Sequence, residues 1–405
     1  MNYEQALAWL YETQRFGIKL GLENVQRLLR ELSVPAKNQR IIHVAGTNGK
    51  GSVCAMIDSI CRAAKYRTGL FTSPHLVTYR ERIRVNGEMI APDAVAGGLS
   101  SLRKMICEWD PHPTFFEITT ALALDHFVKE KCQIIVLETG LGGKLDATNA
   151  TTPIVSVLTP IGFDHEKWLG HTLEAIAGEK AGIIKPHVPV VSAKQESGAE
   201  RVIRARASEC DAPLEFVIEP HATAVGLAGT YQRHNAALAV AALRAGEIDV
   251  SGDAIARGLG QIDWPARFHR WDERTIIDGA HNPAGAKVLA QTWREQFANE
   301  RATVILAVLS EKDLGGICRA LGPIAERFIL PLIRSKRAFL PNELIPELSA
   351  IAPPVEYCIA DSFRAAFASA RALPQRILIT GSLHFAGEAL ATLNGNPDAL
   401  EDCAQ

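Results

Sequence analysis

Residues 41–52 read IIHVAGTNGKGS: an apolar β-branched run, a glycine-rich turn, a lysine and a hydroxyl, with the helical pattern VCAMIDSICRAA following. This is the order of parts that holds a nucleoside triphosphate. Gly46, Gly49 and Gly51 allow positive φ and close backbone approach, so their N–H groups can converge on phosphate oxygens. Asn48 sits among them. Lys50 adds a point charge for the β and γ phosphates, and Ser52 adds a hydroxyl for Mg²⁺. A helix expected to start near Val53 turns its positive end toward the same anion. A strict P-loop has Ser or Thr directly after the lysine, whereas here Gly51 intervenes.

The chain has 405 residues, enough for two or three domains. A net charge of −2 gives no whole-chain field for nucleic acid or an anionic membrane, so any anion site must be local. The eight cysteines are scattered with no C-x-x-C pair, and they read as buried free thiols of a reducing compartment. The N-terminal MNYEQALAWLYETQ is an amphipathic helix carrying Glu4 and Glu12, unlike a basic leader, and no long uninterrupted apolar run follows. A soluble, cytoplasmic, monomeric protein is expected.

Short β-branched runs alternate with helical patterns: IIHVAG, RTGLFTS, QIIVLETG, PIVSVLTPIG and HVPVVSA, then after a gap RTIIDGA, TVILAVLS, RFILPLI and RILITGS. Helices between strands imply parallel sheets and an α/β fold. GTYQRHNAALAVAALRA reads as a loop followed by an alanine-rich buried helix. In QIDWPARFHRW, Pro265 and clustered aromatic residues break the helical period, which places a domain junction there. A larger unit over 1–268 and a smaller Rossmann-like α/β unit over 269–405 are expected.

Polar residues cluster where strands should end. QIIVLE ends in Glu138, the glycine-rich TGLGGKLDATN follows with Asp146 and Asn149, and VSVLTPIG leads to Asp164 and His165. Ligands of open parallel sheets sit beyond the carboxyl ends of the strands, so Ser52, Glu138 and His165 could meet at one metal-phosphate centre. A histidine ligand counts against a purely Mg²⁺ site, since Mg²⁺ prefers oxygen. Lys180 falls mid-helix in TLEAIAGEKAGIIK beside Ile176, Ala177, Ala181, Ile183 and Ile184. Taken alone it reads as an ordinary helix lysine next to Glu179, although partial desolvation would lower its pKa and permit a carbamate with CO₂. In the smaller unit IIDGAHNP offers Asp278 and His281, and Arg267 lies just upstream; each could reach a ribose or phosphate across a cleft.

Eight motifs then recur in a familiar order: AGTNGKGS, FTSPHL with ERIRVNG, TFFEITT, ETGLGGKLDATN, IGFDHEKWLGHTLEAIAGEKAGIIK, RHNAALA, DGAHNP and GSLHFAGEAL. From about Tyr3 to Leu390 the chain resembles folylpolyglutamate and dihydrofolate synthases, the folate branch of the Mur-type ATP-dependent amide ligases. Even the intervening Gly51 is that branch's habit.

The resemblance implies a P-loop ATPase and pterin-binding domain over 1–268 and a glutamate-ligase domain over 269–405. It implies ATP, two Mg²⁺ ions, L-glutamate, and dihydropteroate or a reduced folate as small-molecule substrates and cofactors. Metal ligands would fall on Ser73, Glu138 and His165, and a carbamylated lysine on Lys180. Nucleotide contacts would fall on Asn48, Gly49, Lys50, Gly51, Ser52, Asn235, Arg267, Asp278 and His281. Pterin-side contacts would fall on Thr114, Phe115, Phe116, Glu117, Leu145, Asp146 and Ala147, with Ser382 near the incoming glutamate. Lys50, Lys180 and His281 would be catalytic. Lys144 replaces the usual arginine of GGRLDATN, and Ala266 stands where the family usually has glycine before Arg267. Two rival readings remain: a cell-wall precursor ligase with another acceptor, and a nucleotide-binding regulatory protein without catalysis.

Overall fold

The computed structural model describes residues 1–17, 21–351 and 354–401. Among them fourteen strands form two sheets. The first contains β1 (Arg40–Ala45), β2 (Thr68–Phe71), β3 (Ile83–Val85), β4 (Glu88–Met89), β5 (Ile134–Glu138), β6 (Val155–Leu158), β7 (Val190–Ala193) and β8 (Leu214–Val217). Its order is β4-β3-β2-β5-β1-β6-β7-β8. The second contains β9 (His269–Arg270), β10 (Thr275–Ile277), β11 (Ala302–Leu306), β12 (Ala325–Pro331), β13 (Glu356–Ala360) and β14 (Arg376–Thr380), in the order β13-β12-β11-β14-β10-β9.

Both sheets are parallel at their centres, as buried β-branched runs between helices require. Three short strands depart from the expected pattern. β3 and β4 add an antiparallel hairpin around Asn86 and Gly87, and β9 runs antiparallel to β10. The Asn-Gly pair was the local sign of the hairpin, because both residues take positive φ there.

β1 is buried along its length except at Arg40, and helices cover both faces of its sheet. The P-loop helix spans Lys50–Ala63, starting three residues earlier than the sequence pattern suggests. Its buried face packs with Thr230–Ala245 and Gly252–Gly260. The first of these is helical from Thr230 onward, so of the segment 229–245 only Gly229 lies outside the helix. The helix holding Lys180 is Leu173–Ala181, so the lysine lies in its last turn and not at its middle. Cys54, Cys61, Cys132, Cys210 and Cys318 are buried free thiols, but Cys107 and Cys358 are exposed; Cys403 lies outside the described residues. No described helix is long and apolar enough to cross a membrane.

The segment between β2 and β3 is tied down on several sides. The Glu81 carboxylate accepts backbone N–H bonds from Leu76, Val77 and Thr78, each at 2.9 Å. Glu401, far along the chain, accepts from Tyr79 N at 2.6 Å and from the Tyr3 hydroxyl at 3.0 Å. The helix Leu383–Leu393 lies so close that a Cβ on Gly387 would overlap the Leu76 carbonyl oxygen. Gly387→Ala should therefore force the two units apart at this seam and cost about 1–3 kcal/mol, the usual scale for overpacking. Chemical denaturation is the check, and a loss of only a few tenths of a kcal/mol would show the seam to be soft.

Candidate active site

A cavity of about 420 Å³ lies between the two sheets, beyond the carboxyl ends of β1, β5, β10 and β14. The turn after β1 forms its floor. Gly49 has φ +90° and N-caps the P-loop helix, and a Cβ there would lie 2.8 Å from Asn235 Oδ1. Gly51 has a different reason. The Trp264 indole stands where a side chain at position 51 would go, with Nε1 3.2 Å from that notional Cβ. The hydroxyl is thus displaced one residue, to Ser52, whose Oγ accepts from Gln232 Nε2 at 3.3 Å.

Two lysines converge on one carbonyl. Lys50 Nζ donates to Gly46 O at 3.2 Å and to Thr47 O at 3.3 Å, while Lys180 Nζ donates to Gly46 O at 2.9 Å. Lys180 is buried, and desolvation together with the Lys50 charge lowers its pKa to about 7. Opposite them, Glu138 is buried and accepts a bond from Ser73 N at 3.1 Å. Burial raises the pKa of Glu138, against the pull of Lys50. The Ser73 hydroxyl is buried with no hydrogen-bond partner. His165 has positive φ and lines the same cavity, and burial lowers its pKa to about 4 despite the neighbouring Asp164. A histidine held neutral and a hydroxyl left unpaired are donors suited to a cation. No three His, Cys, Asp or Glu side chains among the described residues form a metal-binding group by themselves.

The second unit supplies the facing wall. Arg267, Asp278, His281 and Ser382 all line the cavity, as do Asn48 and Asn235. Asp278 is buried, and its two oxygens accept from Phe268 N and Ala280 N, each at 2.8 Å. Desolvation raises its pKa, with the Arg267 charge opposing. His281 Nδ1 lies 2.9 Å from Gly279 O, and Ser382 N-caps the helix after β14 by accepting from Phe385 N at 3.1 Å. Ala266 and Phe268 both take left-handed φ, of +57° and +49°, so Arg267 is presented by a doubly reversed backbone. Ala266 thus keeps the turn that a glycine would take freely.

The two walls are clasped at Asp164, which the sequence reading left without a role. Its carboxylate lies 2.6 Å from Lys312 Nζ, accepts from Asn282 Nδ2 at 3.2 Å, and lies 3.5 Å from His281 Nε2. Burial alone would raise its pKa, but the hydrogen bond and charge of His281, with His165 and Lys312, hold it well below the usual carboxylate range. Asn48 and Asn282 exchange side-chain amide bonds beside it, at 3.1 and 3.4 Å. Lys312, Asn282, Gln232 and Trp264 were also missed: each acts through a partner distant in the sequence, and none stands in a local pattern that names that partner.

Thr114, Phe115, Phe116, Glu117, Leu145, Asp146 and Ala147 do not line this cavity. Thr114 and Glu117 cap the helix Phe115–Lys129 reciprocally, and Phe115 stacks on Tyr11 with ring centroids 5.7 Å apart. Asp146 Oδ2 accepts from Gly140 N and Leu141 N, which do line it. Phe116 packs behind the same turn, since a Cβ on Gly140 would lie 2.6 Å from its ring. Lys144 is exposed.

A phosphate-binding turn facing a second α/β unit across a cleft, with strand-end carboxylate and histidine between them, defines a nucleotide-dependent ligase of the Mur class. Residues 44–205 match the Mur ligase middle domain, and residues 266–383 match the Mur ligase, glutamate ligase domain. The chain belongs to the dihydrofolate synthase/folylpolyglutamate synthase family. It is 35% identical to the Bacillus subtilis dihydrofolate synthase/folylpolyglutamate synthase over 95% of this chain and 97% of that protein. Its fold matches Escherichia coli FolC in complex with DHPP and ADP, with a TM-score of 0.85 and 30% identity over 96% of this chain and 98% of that one. It likewise matches the bifunctional Yersinia pestis folylpolyglutamate synthase/dihydrofolate synthase complexed with AMPPNP and Mn ion, with a TM-score of 0.85 and 28% identity over 97% and 98% of the two chains.

Asp164→Ala should strand Lys312 as an uncompensated, largely buried charge and cost about 3–5 kcal/mol. Because folding depresses the Asp164 pKa, its contribution is present above the unfolded value of about 3.9 and is lost as pH falls below it. Urea melts across pH 7 to 3 should therefore show a constant gap between variant and wild type down to about pH 4, which then starts to narrow toward pH 3. A difference that stays constant down to pH 3 would assign the loss to something other than this charge.

Proposed function

We propose that this chain uses ATP and a divalent metal to join L-glutamate to dihydropteroate and to reduced folates and their polyglutamates. The observation that carries this reading is the convergence of Lys50, Lys180, Glu138 and His165 on one cavity faced by Arg267 and His281. A carboxylate is a poor acyl donor, and transfer of the γ-phosphoryl group makes it an acyl phosphate that the glutamate amine can attack. Lys50 and the amino end of the helix Lys50–Ala63 offset negative charge on the moving phosphoryl group. The Asp164 clasp keeps water from the acyl phosphate, and His281, with Nδ1 on the Gly279 carbonyl and Nε2 turned to Asp164, forms part of that clasp at the edge of the phosphate site. Arg267, Asp278, Asn235 and Asn48 to Ser52 hold the nucleotide in this reading, and Ser382 lies beside the incoming glutamate.

Ser73, Glu138 and His165 fit a metal, because one is an unpartnered buried hydroxyl, one a buried carboxylate and one a neutral imidazole. So few protein ligands suit Mg²⁺, which keeps waters and phosphate oxygens as its remaining ligands. The metal supplies Lewis-acid neutralisation of phosphate charge. Thr114 to Glu117 and Leu145 to Ala147 lie behind the Gly140–Leu141 turn, where they would shape the pterin side of the acceptor site. Residues 1–268 would then carry nucleotide and pterin, and 269–405 the glutamate. We also read the chain as a cytoplasmic monomer, on its near-neutral charge and its mostly buried thiols.

Lys180 carries a carbamate in this proposal. Its neutral amine attacks the carbon of CO₂, an N–C bond forms, and a proton leaves to water, so a cation becomes an anion beside the metal site. A pKa of about 7 makes the neutral amine abundant at and above neutrality. Lys180→Ala should lose activity and regain part of it with short carboxylic acids, and the CO₂ dependence of the wild type should strengthen as pH rises through about 7. Full activity in the alanine variant would return Lys180 to a packing role.

ADP release should depend on glutamate with both dihydropteroate and tetrahydrofolate as acceptor. Release with tetrahydrofolate alone would restrict the enzyme to polyglutamylation, and release with a UDP-sugar acid would favour the cell-wall reading. Lys50→Ala should slow turnover by about 10²-fold or more while leaving the fold intact. Turnover near that of the wild type would remove the proposed phosphate site.

A further inference from the structure

The buried histidine of β1 serves neither the nucleotide nor the metal in this account, yet its surroundings are unusual. His43 is fully buried in the central strand of the larger sheet. Its Nε2 lies 2.7 Å from Thr148 Oγ1, and its Nδ1 is buried with no hydrogen-bond partner. Thr148 Oγ1 in turn donates to Asp146 Oδ1 at 2.5 Å, where the Thr148 N–H also donates at 3.0 Å. The other carboxylate oxygen accepts from Gly140 N and Leu141 N at 2.9 Å each.

Counting protons fixes every role in this chain of bonds. Asp146 meets four donors and acts only as an acceptor, so the single Thr148 hydroxyl proton is spent on it. Thr148 Oγ1 must then accept from His43, which is therefore the Nε2–H tautomer with Nδ1 bare. Burial, with the Lys185 charge, lowers the pKa of His43 to about 3, so the ring stays neutral. A leucine at this place would avoid burying an unpaired nitrogen. What the histidine provides is a directed N–H, anchored in the rigid centre of the sheet. Its far end is the Gly140–Leu141 turn, which begins two residues after Glu138 and lines the cavity.

We infer that His43 is a positioning residue: through Thr148 and Asp146 it sets the Gly140–Leu141 turn against Glu138, and with it the geometry of the phosphate and metal centre. The kinetic part of this inference rests on the proposed ligase reaction; the structural part does not. A displacement of the cavity wall by a fraction of an ångström acts mainly on the chemical step and little on nucleotide binding.

The test compares His43→Leu, His43→Gln and Thr148→Val. Glutamine presents its Nε2 donor near the place of the imidazole Nε2. His43→Leu and Thr148→Val should each lower kcat about 10-fold or more with the KM for ATP within about twofold, and with no loss of melting temperature to match. His43→Gln should recover most of that rate. The His43→Leu/Thr148→Val double variant should be no slower than the slower single, because both break the same chain. Independently of any activity, amide hydrogen exchange at Gly140 and Leu141 should accelerate in His43→Leu and return toward the wild-type rate in His43→Gln. If both His43 variants keep the wild-type kcat, or if Gln is no better than Leu in folded protein, the inference is overturned. Wild-type protein that releases no glutamate-dependent ADP would overturn the ligase reading instead, and the exchange rates would still decide the role of His43.

Discussion

A carboxylate buried between two folded units must be matched by donors, and Asp164 finds Lys312, Asn282 and His281 on the opposite side. Removing such a group from water costs several kcal/mol unless these partners are in place. The arrangement of the two sheets therefore follows from this one residue as much as from the packing at the Gly387 seam. If the units separate, Asp164 regains water and the clasp no longer holds; if they meet, the cavity closes over whatever it contains. Closure and exclusion of solvent are one event here, which suits a reaction whose intermediate is destroyed by water.

Electrostatics inside the cavity place two cations side by side and a carboxylate opposite them. Lys50 and Lys180 point at the same Gly46 carbonyl, although the Lys50 charge raises the cost of charging Lys180. Glu138 is buried, its carboxylate accepting the Ser73 N–H and drawn by the Lys50 charge. Such a set is poor as a stabilising network, and in the proposed reaction phosphates would answer the lysines and a cation would answer Glu138 and Ser73. Binding energy and charge balance arrive with the ligands.

Ser382 came only from the family resemblance, but that the P-loop, Glu138, His165, Asp278 and His281 line one cavity was legible because parallel sheets carry their loops at strand ends, and strand ends can be read from local pattern. The fold class was legible for the same reason. What escaped were relationships between distant residues. Lys312 lies 148 residues from Asp164, and nothing around it distinguishes an inter-unit cation from a surface lysine. Two-residue strands such as β4 and β9 are set by their neighbours and have too few side chains to show a period. TFFE carried two meanings at once: its Thr and Glu form a capping box, and in the structure their polar groups go to each other's backbone.

The backbone around Arg267 bears on how fast the two units can part. Ala266 and Phe268 are both left-handed without being glycine, a conformation that disfavours most L-residues by about 1–2 kcal/mol. Bonds from Gly279 N to Ala266 O and from Phe268 N to Asp278 hold them there. A glycine at 266 would occupy this basin without cost, whereas alanine and phenylalanine have lower-energy basins at negative φ. The joint is therefore a loaded spring: these two bonds hold it in its strained position, and any movement that breaks them releases the strain, so the connector pulls against the clasp at Asp164.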